Sequence, residues 1–274
     1  MINLIRADIY RVVRGKALYI TLAVLLVYCV LTVGSIHALQ SGVITITMQD
    51  SAIADTHEDF LNMLEGPGVS GVTIPRDTAA QMDNFVFFLL PIIVVVAGAI
   101  FSHGTVKNDI AWGVSRTKLY FSKLILCSIL CILFLKLYIG FNMAVATVIN
   151  GFGGPAPAGH WVGLFQIFSA QLVILLSFVS VGVFLAFTTK RVAAVNGAFI
   201  AYVFVPLFLL TIITIINTNL EWLLDFEMIS NLMNLARWPY LETREILRAL
   251  GLGAFLLIGS TLGGVALFRR AEIK

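Results

Sequence analysis

Six apolar stretches, each close to the length needed to cross a bilayer, constrain this chain more than any other feature. They run over residues 17–39, 84–101, 124–149, 163–188, 193–217 and 250–268. An α-helix rises ~1.5 Å per residue, so about 20 residues cross ~30 Å of hydrocarbon. Lipid offers no partner to an exposed backbone N–H or C=O, so a spanning segment is a helix or part of a closed barrel. Barrel strands alternate apolar and polar residues; these stretches do not. Only 12% of the 274 residues are charged, about half the share usual in a soluble domain. The expectation is an all-α integral membrane protein of six helices, forming one transmembrane domain over 1–274. The second stretch is the shortest and carries Pro91, which predicts a kink or local break.

Charge distribution sets the expected orientation. Arg6, Arg11, Arg14 and Lys16 precede the first span. Lys107, Arg116, Lys118 and Lys123 lie between the second and third, Lys190 and Arg191 between the fourth and fifth, and Arg269, Arg270 and Lys274 after the sixth. Thirteen of the 18 Lys and Arg thus fall on one side, whereas 12 of the 15 Asp and Glu fall on the other. By the positive-inside rule both termini are cytoplasmic. The first apolar run is too long for a cleaved signal peptide and reads as a signal anchor. Before it, residues 1–16 carry Leu4, Ile5, Ile9, Val12 and Val13 with basic residues between them. That pattern fits an amphipathic helix lying on the inner surface, or a plain basic topogenic tail.

The outer loops differ in character. Residues 40–83 are acidic and broken by Gly66-Pro67-Gly68, Gly71 and Pro75. Residues 150–162 form an uncharged Gly- and Pro-rich turn. Within 218–249, Trp222, Leu223, Phe226, Ile229, Leu232, Met233 and Leu235 recur at helical spacing. They predict a helix ending near Trp238-Pro239, with a second short helix over 241–250. The pair fits either the outer interface or a dip into the membrane.

No catalytic signature is present. The chain has no G-x-x-x-x-G-K-[ST] loop, no H-E-x-x-H and no G-x-S-x-G, so it is not expected to be an enzyme, to bind a cofactor or metal itself, or to take up nucleic acid. Cys127 and Cys131 share a helix face, where small apolar packing is a better account than a soft-metal pair. Gly259-Ser260-Thr261-Leu262-Gly263 matches G-x-x-x-G and is expected to pack helices within the chain. Lys136 stands out near the middle of the third span. A lysine there costs ~3 kcal/mol on insertion scales. It is expected to face protein or water, as a charge lining a pathway, as half of a buried pair, or as a neutralised or snorkelling side chain at a helix interface.

The segment over 102–123 joins the second and third spans. Thr105 is placed to cap a helix from Val106 or Lys107, with Val106, Ile110 and Val114 on one face. Gly113 ends this helix and Ser115 caps the next. The product is a short helix at the membrane surface, a tight turn and a basic re-entry, which rigid helices on either side can couple to the spans.

The run Gly104-Thr105-x-Lys107-Asn108, then Gly113-x-Ser115-Arg116 and Ser122-Lys123, resembles the cytoplasmic coupling region after the second helix of ABC-2-type ABC-transporter permeases. An acidic residue often precedes the Gly-Thr in that family; Phe101-Ser102-His103 stands here instead. The rest of the layout is similar too, including the large first outer loop, the outer helical segment before the last span and the Phe268-Arg269-Arg270 tail. The resemblance implies a multi-pass half-transporter of the bacterial cytoplasmic membrane. It implies a second permease chain, identical or paralogous, and two copies of a separate P-loop ATPase that binds the ATP and Mg. Thr105, Lys107, Asn108, Gly113, Ser115 and Arg116 would then form the ATPase-coupling segment. Small permeases with this loop pattern are similar to those of lantibiotic-immunity and bacitracin-resistance systems, which implies export of hydrophobic or amphipathic peptides. The acidic outer face, with Asp55, Glu58 and Asp59, would attract cationic ones. Two other classes remain as alternatives. One is a gradient-driven secondary transporter, for which neither internal repeats nor an intramembrane acid is evident. The other is a non-transporting assembly or sensor partner.

Overall fold

The structure is a computed structural model and describes residues 2–40, 69–102, 104–238 and 240–271. The acidic stretch with Asp55, Glu58 and Asp59 lies outside the described residues, as do His103, Pro239 and Lys274. Among the described residues every regular element is a helix. Helix α1, Ile2–Arg14, leads through a turn at Gly15 into α2, Lys16–Gln40. A short α3, Ile74–Ala80, precedes α4, Met82–Ser102. Then come α5, Thr105–Ala111, and three long helices: α6, Arg116–Asn150; α7, His160–Thr189; and α8, Val192–Ile216. A 3-10 segment, Thr218–Phe226, and α9, Met228–Asn234, lead to α10, Thr243–Arg270. Helices α2, α4, α6, α7, α8 and α10 are each long and apolar enough to cross a membrane. This is the architecture of a multi-pass membrane protein.

The spans are longer than the apolar runs, because helix continues past the hydrophobic part. The third span extends back to Arg116, and the sixth begins at Thr243. Residues 243–250 are therefore the first two turns of α10 instead of a separate helix. A reciprocal capping box explains that start, with Glu242 accepting from the Glu245 backbone and Glu245 accepting from the Glu242 N–H. Pro91 sits inside α4 and is followed by a π-helical turn, Val94–Gly98, the local break that a missing N–H produces.

Helix α7 is the centre of the bundle. Its face from Leu164 through Gln171, Ile174, Phe178 and Ser180 to Phe187 is buried, and it packs on α4, α6, α8 and α10. Its tightest neighbour is α10. The close approaches come from glycines other than the G-x-x-x-G pair. A Cβ on Gly253 would sit 3.4 Å from Ile174, and one on Gly264 would overlap the Tyr120 ring of α6 at 2.3–2.7 Å. Gly259 faces open space, and a Cβ on Gly263 would meet only Phe184, at 3.7 Å. The expected packing role thus belongs to Gly253 and Gly264. Ser180 adds a polar contact in the same seam, 2.7 Å from Ser260 Oγ and 2.8 Å from Thr261 Oγ1.

At the opposite end from the chain termini, α3 and α9 fold inward. Ile74, Thr78 and Ala79 of α3 are buried, as are Ile229, Asn231 and Leu232 of α9. Short helices inside a bundle leave carbonyls without partners. Gln171 of α7, itself fully buried, supplies them: its Nε2 donates to Ala79 O at 2.8 Å and Leu232 O at 3.0 Å. Glu227 caps α9 by accepting from the Ile229 and Ser230 N–H groups. Burial raises the carboxyl of Asp77 in α3 to about 6, with Arg76 pulling it partly back.

Two outcomes follow from this packing. Gly264→Val should lower stability by about 1–3 kcal/mol through overpacking against a rigid ring, while Gly259→Val should leave the melting temperature in detergent unchanged. Asp77 binds its proton more tightly folded than unfolded. It therefore favours folding at low pH, and that contribution is lost as pH rises from 3.8 through about 6. Asp77→Asn should melt higher than the parent above pH 6 and match it below about pH 4.

Candidate functional site: the basic end of the bundle

Three segments distant in sequence meet at one end of the bundle: α1, the α4–α6 turn with α5, and the end of α10. This end carries Arg6, Arg11, Arg14, Lys16, Lys107, Arg116, Lys118, Lys123, Arg269 and Arg270.

Helix α5 forms as the sequence predicts, with a different start. Gly104 occupies the N-cap at φ 65°, a left-handed conformation that glycine adopts without strain. Thr105 is the first helical residue, and its Oγ1 donates back to Ile100 O at 3.3 Å. Thr105 therefore ties α5 to the preceding span instead of capping it. At the other end, Gly113 has φ 81°. Its N–H bonds Ile110 O at 2.9 Å, and the Val114 N–H bonds Asp109 O at 3.1 Å. This is a Schellman motif, with glycine at its left-handed position. Ser115 then caps α6, accepting from the Lys118 N–H at 3.3 Å. Val106 is buried, and Ile110 and Val114 pack against the core. Lys107 and Asn108 are exposed.

At the tip stands Trp112, 88% exposed, which the sequence reading passed over. Its signal was a large aromatic immediately before the helix-ending Gly113, where apolar periodicity gives it no place in the core.

Arg116 is oriented inward. Its Nη1 donates to Arg269 O at 2.8 Å and Ala271 O at 2.7 Å, and lies 3.4 Å from Phe268 O. It thus caps the carbonyl end of α10, where a cation is also favoured by the helix dipole. Directly behind it, Phe187 of α7 makes edge contacts with Phe101 of α4, Tyr120 of α6 and Phe268 of α10, at centroid distances of 5.3, 4.9 and 4.7 Å. Four spans are therefore joined through one aromatic cluster beneath the turn.

Lys123 differs most from expectation. Read as part of a basic re-entry on the cytoplasmic side, it is 2% exposed and paired with Asp8 Oδ2 of α1 at 2.5 Å. Asp8 also meets Arg11 at 3.2 Å. Asp8 is the sole acidic residue before Asp50, and that isolation within a basic helix was the available signal. Val12, one turn on, is buried as well. Helix α1 is therefore docked onto α6. Lys136, by contrast, is exposed on the outside of α6, away from the basic end.

The chain matches no protein-family profile, no curated protein and no solved structure.

The pair between α1 and α6 yields a direct test. Removing one partner of a buried ion pair typically costs about 3–5 kcal/mol, because the other charge is left buried. Lys123→Met and Asp8→Leu should each destabilise the protein strongly, and the double variant should recover most of the loss, as read by thermal unfolding in detergent.

Proposed function

We infer that this chain is the membrane-spanning permease subunit of an ATP-driven exporter of ABC-2 type, coupled through its α5 turn to a separate P-loop ATPase. The observation that carries the reading is the Trp112 tip on a rigidly capped turn whose base is tied to several spans. A large exposed aromatic on a preorganised turn is a typical anchor for a partner's pocket. Force applied there passes through Thr105 to α4, through Ser115 to α6, and through Arg116 to α10. Lys107 and Asn108 are exposed beside the tip and suit polar contacts at the rim of such an interface. In this reading Arg116 transmits the displacement and does not touch the ATPase. Gly113 sets the turn, while Thr105 and Ser115 fix its two ends.

The chain itself carries no ATP-binding motif. ATP and Mg belong to the partner, present in two copies beneath a pair of permease chains in the bacterial cytoplasmic membrane. The basic end is then the cytoplasmic one. The cargo is a hydrophobic or amphipathic molecule, and a peptide fits best, which accords with a role in resistance to antimicrobial peptides. A groove of about 510 Å³ supports an apolar cargo. Ala17, Ile20, Thr21 and Val24 of α2 line it with Phe87, Phe88 and Pro91 of α4. It opens sideways between two spans, in the half of α2 nearer the basic end.

Trp112→Ala should leave the melting temperature unchanged and weaken binding to the ATPase by at least 2 kcal/mol, about 30-fold or more. Co-purified ATPase activity from native membranes is the measurement. Retention of the full activity by Trp112→Ala, or the absence of any ATPase from intact complexes, would favour a gradient-driven transporter or a non-transporting membrane partner.

A further inference from the structure

Lys136 has no partner among the described residues, and the bundle turns it outward. Helix α6 packs on α4 and α2 through Tyr138, whose ring lies 5.3 Å from Phe85 and 6.3 Å from Tyr28. Two residues along a helix rotate a side chain by about 200°, so Lys136 points away from that contact. It is exposed, in line with Ile129, Leu133, Gly140, Ala144 and Val148, all exposed too. These residues recur at spacings of four, three, four, four and four, which makes one continuous stripe down α6.

The depth of Lys136 rules out simple snorkelling. It lies 13 residues, ~20 Å, beyond Lys123, which marks the level of α1, and 14 residues, ~21 Å, before Asn150. A four-carbon stem reaches neither end. Helical side chains also lean toward the helix N-terminus, here toward the basic end ~20 Å away. A charged lysine left in hydrocarbon at this level is unfavourable, so the stripe is covered in the assembled protein. Gly140 and Ala144 beside Lys136 remove the side-chain bulk that would keep another helix backbone away. A Cβ on Gly140 would touch nothing within 4 Å.

A second copy of this chain does not supply the missing charge symmetrically. The spans contain two carboxylates, Asp83 and Glu245, each in the first turn of its helix. Asp83 is turned into the chain, close enough to Tyr28 of α2 and Tyr138 of α6 for its charge to act on both. It therefore sits at the contact of α2, α4 and α6 from which Lys136 points away, while Glu245 is held by the Glu242 N–H. A two-fold dimer needs both members of a reciprocal pair on one patch, and neither carboxylate shares a patch with Lys136.

We propose that the outer face of α6 is a docking surface for a membrane-spanning helix of a different protein, one that carries a carboxylate near mid-membrane opposite Lys136. This goes beyond the exporter reading and does not depend on it, since it requires only that α6 crosses the membrane.

The test uses the purified full-length chain in bicelles, with a fluorophore on Gly154→Cys in the exposed loop after α6. The probe is a Leu/Ala host helix with one central Glu, alongside versions with Gln or Leu at that position. Energy transfer should report binding of the Glu helix roughly tenfold tighter than the Leu helix, the size expected of one interhelical polar contact. Lys136→Met should abolish the difference, and Gly140→Phe should abolish binding. Both should melt like the parent, because neither side chain packs within the chain. Equal binding of the Glu and Leu helices, or no effect of Lys136→Met, would overturn the proposal. So would rapid modification of Lys136→Cys by a charged thiol reagent in membranes, which would mark a water-filled pathway. A change in self-association on Lys136→Met would assign the face to a second copy and overturn it equally.

Discussion

The buried pair of Lys123 with Asp8 is the contact on which the basic end depends. In a bundle surrounded by hydrocarbon, a charge below the surface has to be answered from within the protein. Here the answer comes from α1, a helix that would otherwise rest on the membrane surface. The pair fixes α1 against the root of α6, seven residues from Arg116. Arg116 in turn holds the end of α10 by its carbonyls. With Phe187 bridging Phe101, Tyr120 and Phe268, the α5 turn stands on a base made from α1, α4, α6, α7 and α10. A displacement at Trp112 is thereby shared among several spans instead of being absorbed by one loop.

The other end obeys the same rule by different means. Helices α3 and α9 bring backbone ends into the bundle, and Gln171 and Glu227 meet the groups those ends expose. Irregular backbone at such a position is tolerated where protein covers it. The seam between α7 and α10 that joins the two ends closes at Gly253, with Ser180, Ser260 and Thr261 linked between the helices, while Gly264 admits the Tyr120 ring of α6 against α10.

Much of this was legible in the sequence, and the losses have physical causes. The six spans were visible because apolar length is a local property. Gly113 and Ser115 were readable because turn and cap chemistry lies within four residues of the turn. Pro91 announced its break in the same way. The failures were long-range. Lys123 counted only as one of the basic residues of the re-entry, because nothing local reveals that Asp8, 115 residues earlier, would pair with it. The carbonyls that Arg116 meets lie at the far end of the chain, so nothing local announced that contact. The G-x-x-x-G pair gave the correct helix and the wrong glycines, since helix rotation decides which small residues face a neighbour. Lys136 was expected to face protein or water, and among the described residues no other element of this chain covers it. Trp112 was missed because exposure of an apolar residue can be judged only after the core is known.

Photo-crosslinking from position 112 in intact membranes tests the central claim most directly. With a benzophenone amino acid in place of Trp112, the account predicts one major adduct, to a P-loop ATPase, whose yield changes when ATP is added. Adducts to lipid alone would show that the tip anchors in the membrane surface, and would contradict the account.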